Sequence, residues 1–134
     1  LYKLQTLYLE ADYQQLYGVI RNRVSHRSLL VLFTNFESVE GLERELPALK
    51  QIARYHLLMV IIFENTELKD LREQPAFTIE DIYIKTIAEK YATEKKLIVK
   101  ELRRNGILAI LTTPQNVTVN ALNKYLELKA KNQI

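Results

Sequence analysis

Three short, unbroken apolar runs constrain this chain more than any other feature: Leu29 to Phe33, Leu57 to Phe63 and Ile107 to Leu111. A strand with one wet face alternates apolar and polar residues, whereas a strand covered on both faces reads as a continuous run. The second and third runs also carry the β-branched residues that suit strands. Longer stretches of helical periodicity separate the runs. That alternation predicts an α/β fold in three layers: a parallel sheet of three strands, flanked by helices on both faces and joined by right-handed crossovers.

The first helix is expected from about Asp12 to Val24, with Leu16, Val19, Ile20 and Val24 on one face. Leu1 to Leu9 reads as the tail of a preceding helix. The second helix, near Val39 to Tyr55, places Leu42, Leu46, Leu49, Ile52 and Ala53 together. Pro47 falls inside it and predicts a kink, or a helix that starts there. One or two turns are expected at Glu67 to Glu73, before Pro75. Thr78, with Asp81 three residues on, reads as the N-cap of a long helix that stops at Asn105-Gly106. Its expected buried stripe is Ile79, Ile82, Tyr83, Ile87, Tyr91, Ile98 and Leu102. At 1.5 Å per residue it is on the order of 40 Å long, so it must overhang a small sheet or bend round it. A last helix follows Thr113-Pro114 and is expected to use Val117, Val119, Leu122, Tyr125, Leu126 and Ala130.

The 134 residues suffice for one domain with one core. The absence of cysteine excludes disulfides and thiolate metal sites. A net charge of +3 is small, and nucleic acid is not an expected partner. No apolar run reaches the ~18 residues that span a bilayer, and a cytoplasmic location is expected for this stretch. The chain begins at Leu1 and is read as a single partial domain, residues 1–134, from a longer protein.

In open α/β sheets ligands bind beyond the carboxyl ends of the strands. The first candidate site is therefore Thr34-Asn35, continued by Phe36 and Glu37. Glu64 and Asn65, after the second run, should lie at the same sheet edge. Thr and Asn also suit a capped turn where a strand hands over to a helix, which is the preferred reading for the pair. His26 and His56 have no second ligand at metal spacing and read as capping or surface residues. There is no G-x-S-x-G, P-loop or G-x-G-x-x-G motif. Tyr8, Tyr13 and Tyr17 suit either a partner surface or half-buried packing. Lys95, Lys96, Lys100, Arg103 and Arg104 could touch phosphate or anionic lipid, but cations also favour a helix C-terminus. Glu94 and Glu101 dilute that patch, and the helix-end reading is preferred.

Several segments carry a more specific resemblance: Glu10-Ala11-Asp12-Tyr13, Arg27 to Phe36, Ala53-Arg54-Tyr55-His56-Leu57, Asp81-Ile82-Tyr83 and Asn123 to Ala130. Together they resemble the C-terminal part of the bacterial family called domain of unknown function fifty-eight. That family is similar to von Willebrand factor A-type domains and is associated with MoxR-type AAA+ ATPases. The resemblance implies a non-enzymatic adaptor that helps such an ATPase assemble or activate other proteins, in a parent attached to the inner membrane. It also implies a metal-ion-dependent adhesion site, with Thr34 and Asn35 standing where the type has Thr-Asp. Asn35 removes a charge that hard Mg²⁺ favours. No cofactor is therefore expected for this stretch, and Mg²⁺ is assigned to the full-length parent. Partner contacts are expected from Thr34, Asn35, Phe36, Glu37, Glu64 and Asn65. The edge of the first strand is expected to be open and to recruit a second copy. The alternatives are a scaffold half-domain without a ligand and a Mg²⁺-dependent phosphotransfer domain, against which Asn35 argues.

Overall fold

The computed structural model describes residues 13–36 and 38–131. In chain order the elements are α1 (Tyr13–Arg23), β1 (Leu29–Thr34), α2 (Val39–Tyr55), β2 (Leu57–Phe63), α3 (Thr66–Glu73), α4 (Ile79–Arg104), β3 (Leu108–Thr112) and α5 (Val117–Ala130). The expected segment before Asp12 lies outside the described residues. The three strands form one parallel sheet in the order β1-β2-β3. Leu29 to Thr34 pair with Leu57 to Ile62, and Met59 to Phe63 pair with Leu108 to Thr112.

The central strand explains why the apolar runs are continuous. Successive side chains of β2 alternate between the sheet faces. Leu58, Val60 and Ile62 take one face and Met59 and Ile61 the other, and none of the five exceeds 3% exposure. The first face carries the main core, where Leu42, Leu49 and Ile52 of α2 meet Ile98, Val99 and Leu102 of α4 and Ile20 of α1. On the second face α5 packs beside β3. The arrangement is α/β and is compatible with three layers. Each fully buried aliphatic side chain contributes about 1.5–3 kcal/mol relative to exposure.

Helix starts follow local chemistry. Ser38 caps α2 by accepting from the Gly41 N–H at 3.1 Å. Thr78 and Asp81 form the reciprocal capping box expected for α4. Gly106 ends that helix with φ +77°, a conformation that favours glycine. Pro47 does not start a helix, because α2 runs from Val39 to Tyr55 with Pro47 inside it. Pro47 and Glu43, four residues before it, are both exposed, so the carbonyl deprived of its donor lies on the wet side.

Two expected stripes are corrected. In α4 only Ala88, Ile98, Val99 and Leu102 are buried, and Ile79 is 87% exposed. The reason is length: 26 residues span about 39 Å, and the seven-residue β2 only about 23 Å. The first half of α4 therefore overhangs the sheet and packs with α3. In α5 the buried residue is Leu128, while Val119, Leu122 and Leu126 face solvent. Apolar residues lie all round this helix, so periodicity alone does not choose its inner face.

His56 ties α2 to the start of β1. Its backbone N–H donates to Ile52 O at 3.0 Å, and its ring Nδ1 accepts the Ser28 N–H at 3.2 Å. Burial, followed by the nearby Arg27 charge, holds its pKa below the usual histidine value. The neutral ring is the one that fits, since Nδ1 must keep its lone pair.

Two outcomes are expected. Leu102→Ala costs about 2–5 kcal/mol in urea unfolding, whereas Ile79→Ala on the same helix changes stability by less than about 0.5 kcal/mol. Because the folded pKa of His56 is depressed, its contribution is complete above the unfolded value near 6.5 and is lost as pH falls below it. The stability gap between wild type and His56→Gln should therefore narrow between about pH 7.5 and 5.5. A constant gap would show that His56 does not titrate with folding.

Candidate functional site

The carboxyl ends of the strands gather the residues expected there, and most of their polar groups are engaged internally. At the end of β1, Thr34 Oγ1 shares a hydrogen bond with the Tyr13 hydroxyl. Burial raises the Tyr13 pKa, the Thr34 bond opposes the rise, and Glu45 adds to it. The Tyr13 ring packs against Phe36 with centroids 5.6 Å apart. Phe36 itself turns inward and is buried, so its ring belongs to the core and not to the surface. Tyr17 is half-buried against the same core. Tyr8 and Glu37 lie outside the described residues.

Asn35 is exposed, and its Oδ1 accepts from Lys95 Nζ. The same ammonium donates to Phe36 O at 2.7 Å. The preceding residue, Glu94, accepts the Val39 N–H at 3.2 Å, on the first turn of α2. A carboxylate there complements the positive end of the helix dipole. Adjacent residues of α4 thus hold both sides of the β1–α2 connection. After β2, the Glu64 N–H donates to Thr112 O at 2.7 Å, extending the β2–β3 ladder. Asn65 Oδ1 caps α3, accepting from Glu67 N–H at 2.9 Å and Leu68 N–H at 3.2 Å.

These partners define what the site can do. Thr34 and Asn35 are brought together, but their side-chain oxygens are committed to Tyr13 and Lys95. A divalent cation at Asn35 would have to displace an ammonium. Among the described residues no three or more His, Asp or Glu side chains gather to hold a metal ion. Hard cations favour charged oxygen ligands, so carboxylates for this position would have to come from beyond those residues. No helix among the described residues is long and apolar enough to cross a membrane. The loop contacts of Glu94 and Lys95 were not legible, since partners 55 and 60 residues away in sequence leave no local spacing signal.

No family model, curated protein or solved structure matches the chain.

The Tyr13–Thr34 bond should be measurable as a coupling. Tyr13→Phe or Thr34→Val alone should cost about 0.5–1.5 kcal/mol or slightly more, because each leaves a hydroxyl or its partner unsatisfied. The double variant should lose less than the sum of the two in urea unfolding.

Proposed function

We propose that this chain is a non-enzymatic protein-interaction module, the C-terminal half of a von Willebrand factor A-like domain that acts with a MoxR-type AAA+ ATPase. The observation that carries the interaction reading is the overhanging start of α4. Phe77, Ile79, Ile82 and Tyr83 stand 85%, 87%, 56% and 67% exposed. Contiguous apolar side chains of this kind mark interaction surfaces, and tyrosine and phenylalanine are favoured contact residues. The von Willebrand reading is supported by the sequential parallel order β1-β2-β3, which is the order of one half of a doubly wound sheet.

The loops after the strands supply the polar part of the contact. Asn35 and Glu64 lie at the carboxyl end of the sheet, beyond which α4 overhangs. Asn35 acts there through the Lys95-braced loop and not as a metal ligand of this chain. In the parent, Mg²⁺ joins the contact only where the other half brings carboxylates. The β1 edge is the place for a second copy or a further strand. The ladder uses Leu30, Leu32 and Thr34 toward β2, which leaves the N–H and C=O of Leu29, Val31 and Phe33 pointing away from it.

The test is direct binding of the chain, and of the full-length parent, to a purified MoxR-type ATPase from the same organism, with and without ATP and Mg²⁺. The wild-type chain should bind, and the pair Ile82→Glu and Tyr83→Glu should weaken binding by about tenfold or more, as loss of contact anchors does. Both positions are exposed, so the fold should persist by circular dichroism. Binding by the parent alone would move the contact to the other half. Binding by neither would remove the ATPase from the reading.

A further inference from the structure

A groove of about 600 Å³ runs between α4 and α5 along β3. Both Ile110 and Leu111 line it. Adjacent strand residues point to opposite faces, so a groove that reaches both passes over the outer edge of β3. The Glu64 N–H to Thr112 O bond sets the phase of the ladder: Leu108, Ile110 and Thr112 turn their backbone groups to β2, and Ala109 and Leu111 turn theirs outward. Arg103 closes one of the two positions, donating from Nε at 3.2 Å and Nη2 at 2.8 Å to Ala109 O. The N–H and C=O of Leu111 point away from β2, and no bond to them is formed by the described residues.

The walls are basic. Lys96, Lys100, Arg103 and Lys124 line the groove against one carboxylate, Glu127. Glu127 is held by Lys131 at 3.0 Å and by Lys124 at 3.5 Å, and those lysines depress its pKa. Lys96 and Lys100 have no ion-pair partner among the described residues. Val99 gives the groove an apolar element beside Ile110 and Leu111. Asn120, fixed by its Nδ2 donating to Thr112 Oγ1 at 2.7 Å, adds an amide at the wall.

We propose that this groove binds an extended acidic peptide segment of a partner protein, with carboxylates on Lys96 and Lys100, apolar side chains on Ile110 and Leu111, and backbone bonds to Leu111. The choice of peptide rests on the lining. A strand edge offers main-chain bonds and alternating side-chain positions, the means by which β-augmentation reads a peptide. No aromatic ring among the described residues lines the groove, whereas single-stranded nucleic acid is held mainly by stacking on such rings. The site lies on a different stretch of α4 from the overhang and does not depend on the ATPase reading.

The test uses the whole chain and a fluorescent peptide alternating glutamate and leucine, followed by anisotropy at low and high salt. Binding should weaken with salt, and the Leu111 amide should shift in NMR spectra. The double variant Lys96→Glu/Lys100→Glu should bind about tenfold more weakly, and Lys96→Arg/Lys100→Arg should bind as wild type. The proposal is overturned if the charge-reversed variant binds unchanged or if the wild type does not bind. It is also overturned if a thymidine oligonucleotide of equal charge binds more tightly, or if inorganic phosphate alone displaces the peptide.

Discussion

Burial of β2 on both faces and pairing on both edges is the constraint from which the rest of this structure follows. A strand so enclosed cannot vary toward polarity, and its neighbours, which run parallel to it, are reached through long returns. The returns are α2 and the α3–α4 pair, and the apolar faces of α2 and α4 meet in the core. Once both crossovers are helices, the loops after the three strands collect at one end. Their polar residues then have two duties, to start the next helix and to hold the loop in place. Asn65 does the first, and Thr34 and Asn35 do the second through Tyr13 and Lys95.

The long helix α4 links core, loop and surface because it is longer than the sheet it crosses. Its last turns bury Ile98, Val99 and Leu102. Its middle sets Glu94 and Lys95 on either side of the β1–α2 loop. Its first turns pass beyond the strands with Ile79, Ile82 and Tyr83 in solvent. Core packing at one end therefore fixes the angle at which the apolar overhang is presented at the other. Any contact made by that overhang rests on a rigid element and not on a loop.

The layout of the sheet was legible because it rests on local signals. Continuous runs marked the strands, Thr78 with Asp81 marked the start of α4, and Asn105-Gly106 marked its end. What failed was the assumption that an apolar stripe is a buried stripe. Ile79, Ile82 and Tyr83 repeat as a core face would, yet helix length places them past the described residues of the sheet. The same limit hid the groove. Lys96 and Lys100 read as helix-end cations, a sound reading of α4 alone. Their common wall with β3 and α5 exists only in the folded chain.

The two sheet edges are built differently, and the difference has a direction. At β3 a guanidinium occupies the Ala109 carbonyl, and basic side chains stand over the strand. Charge at an edge is a common guard against indiscriminate pairing, and it admits only a strand whose own charges answer it. At β1 the outward residues are Leu29, Val31 and Phe33, and the nearest cation in sequence, Arg27, stands before the strand. Phe33 is 57% exposed and stacks on Phe63, with centroids 6.0 Å apart. The described residues place no strand against the outward backbone groups there, and a strand that paired with them would also cover Phe33. On the readings proposed above, an added apolar strand belongs next to β1, and an acidic one next to β3.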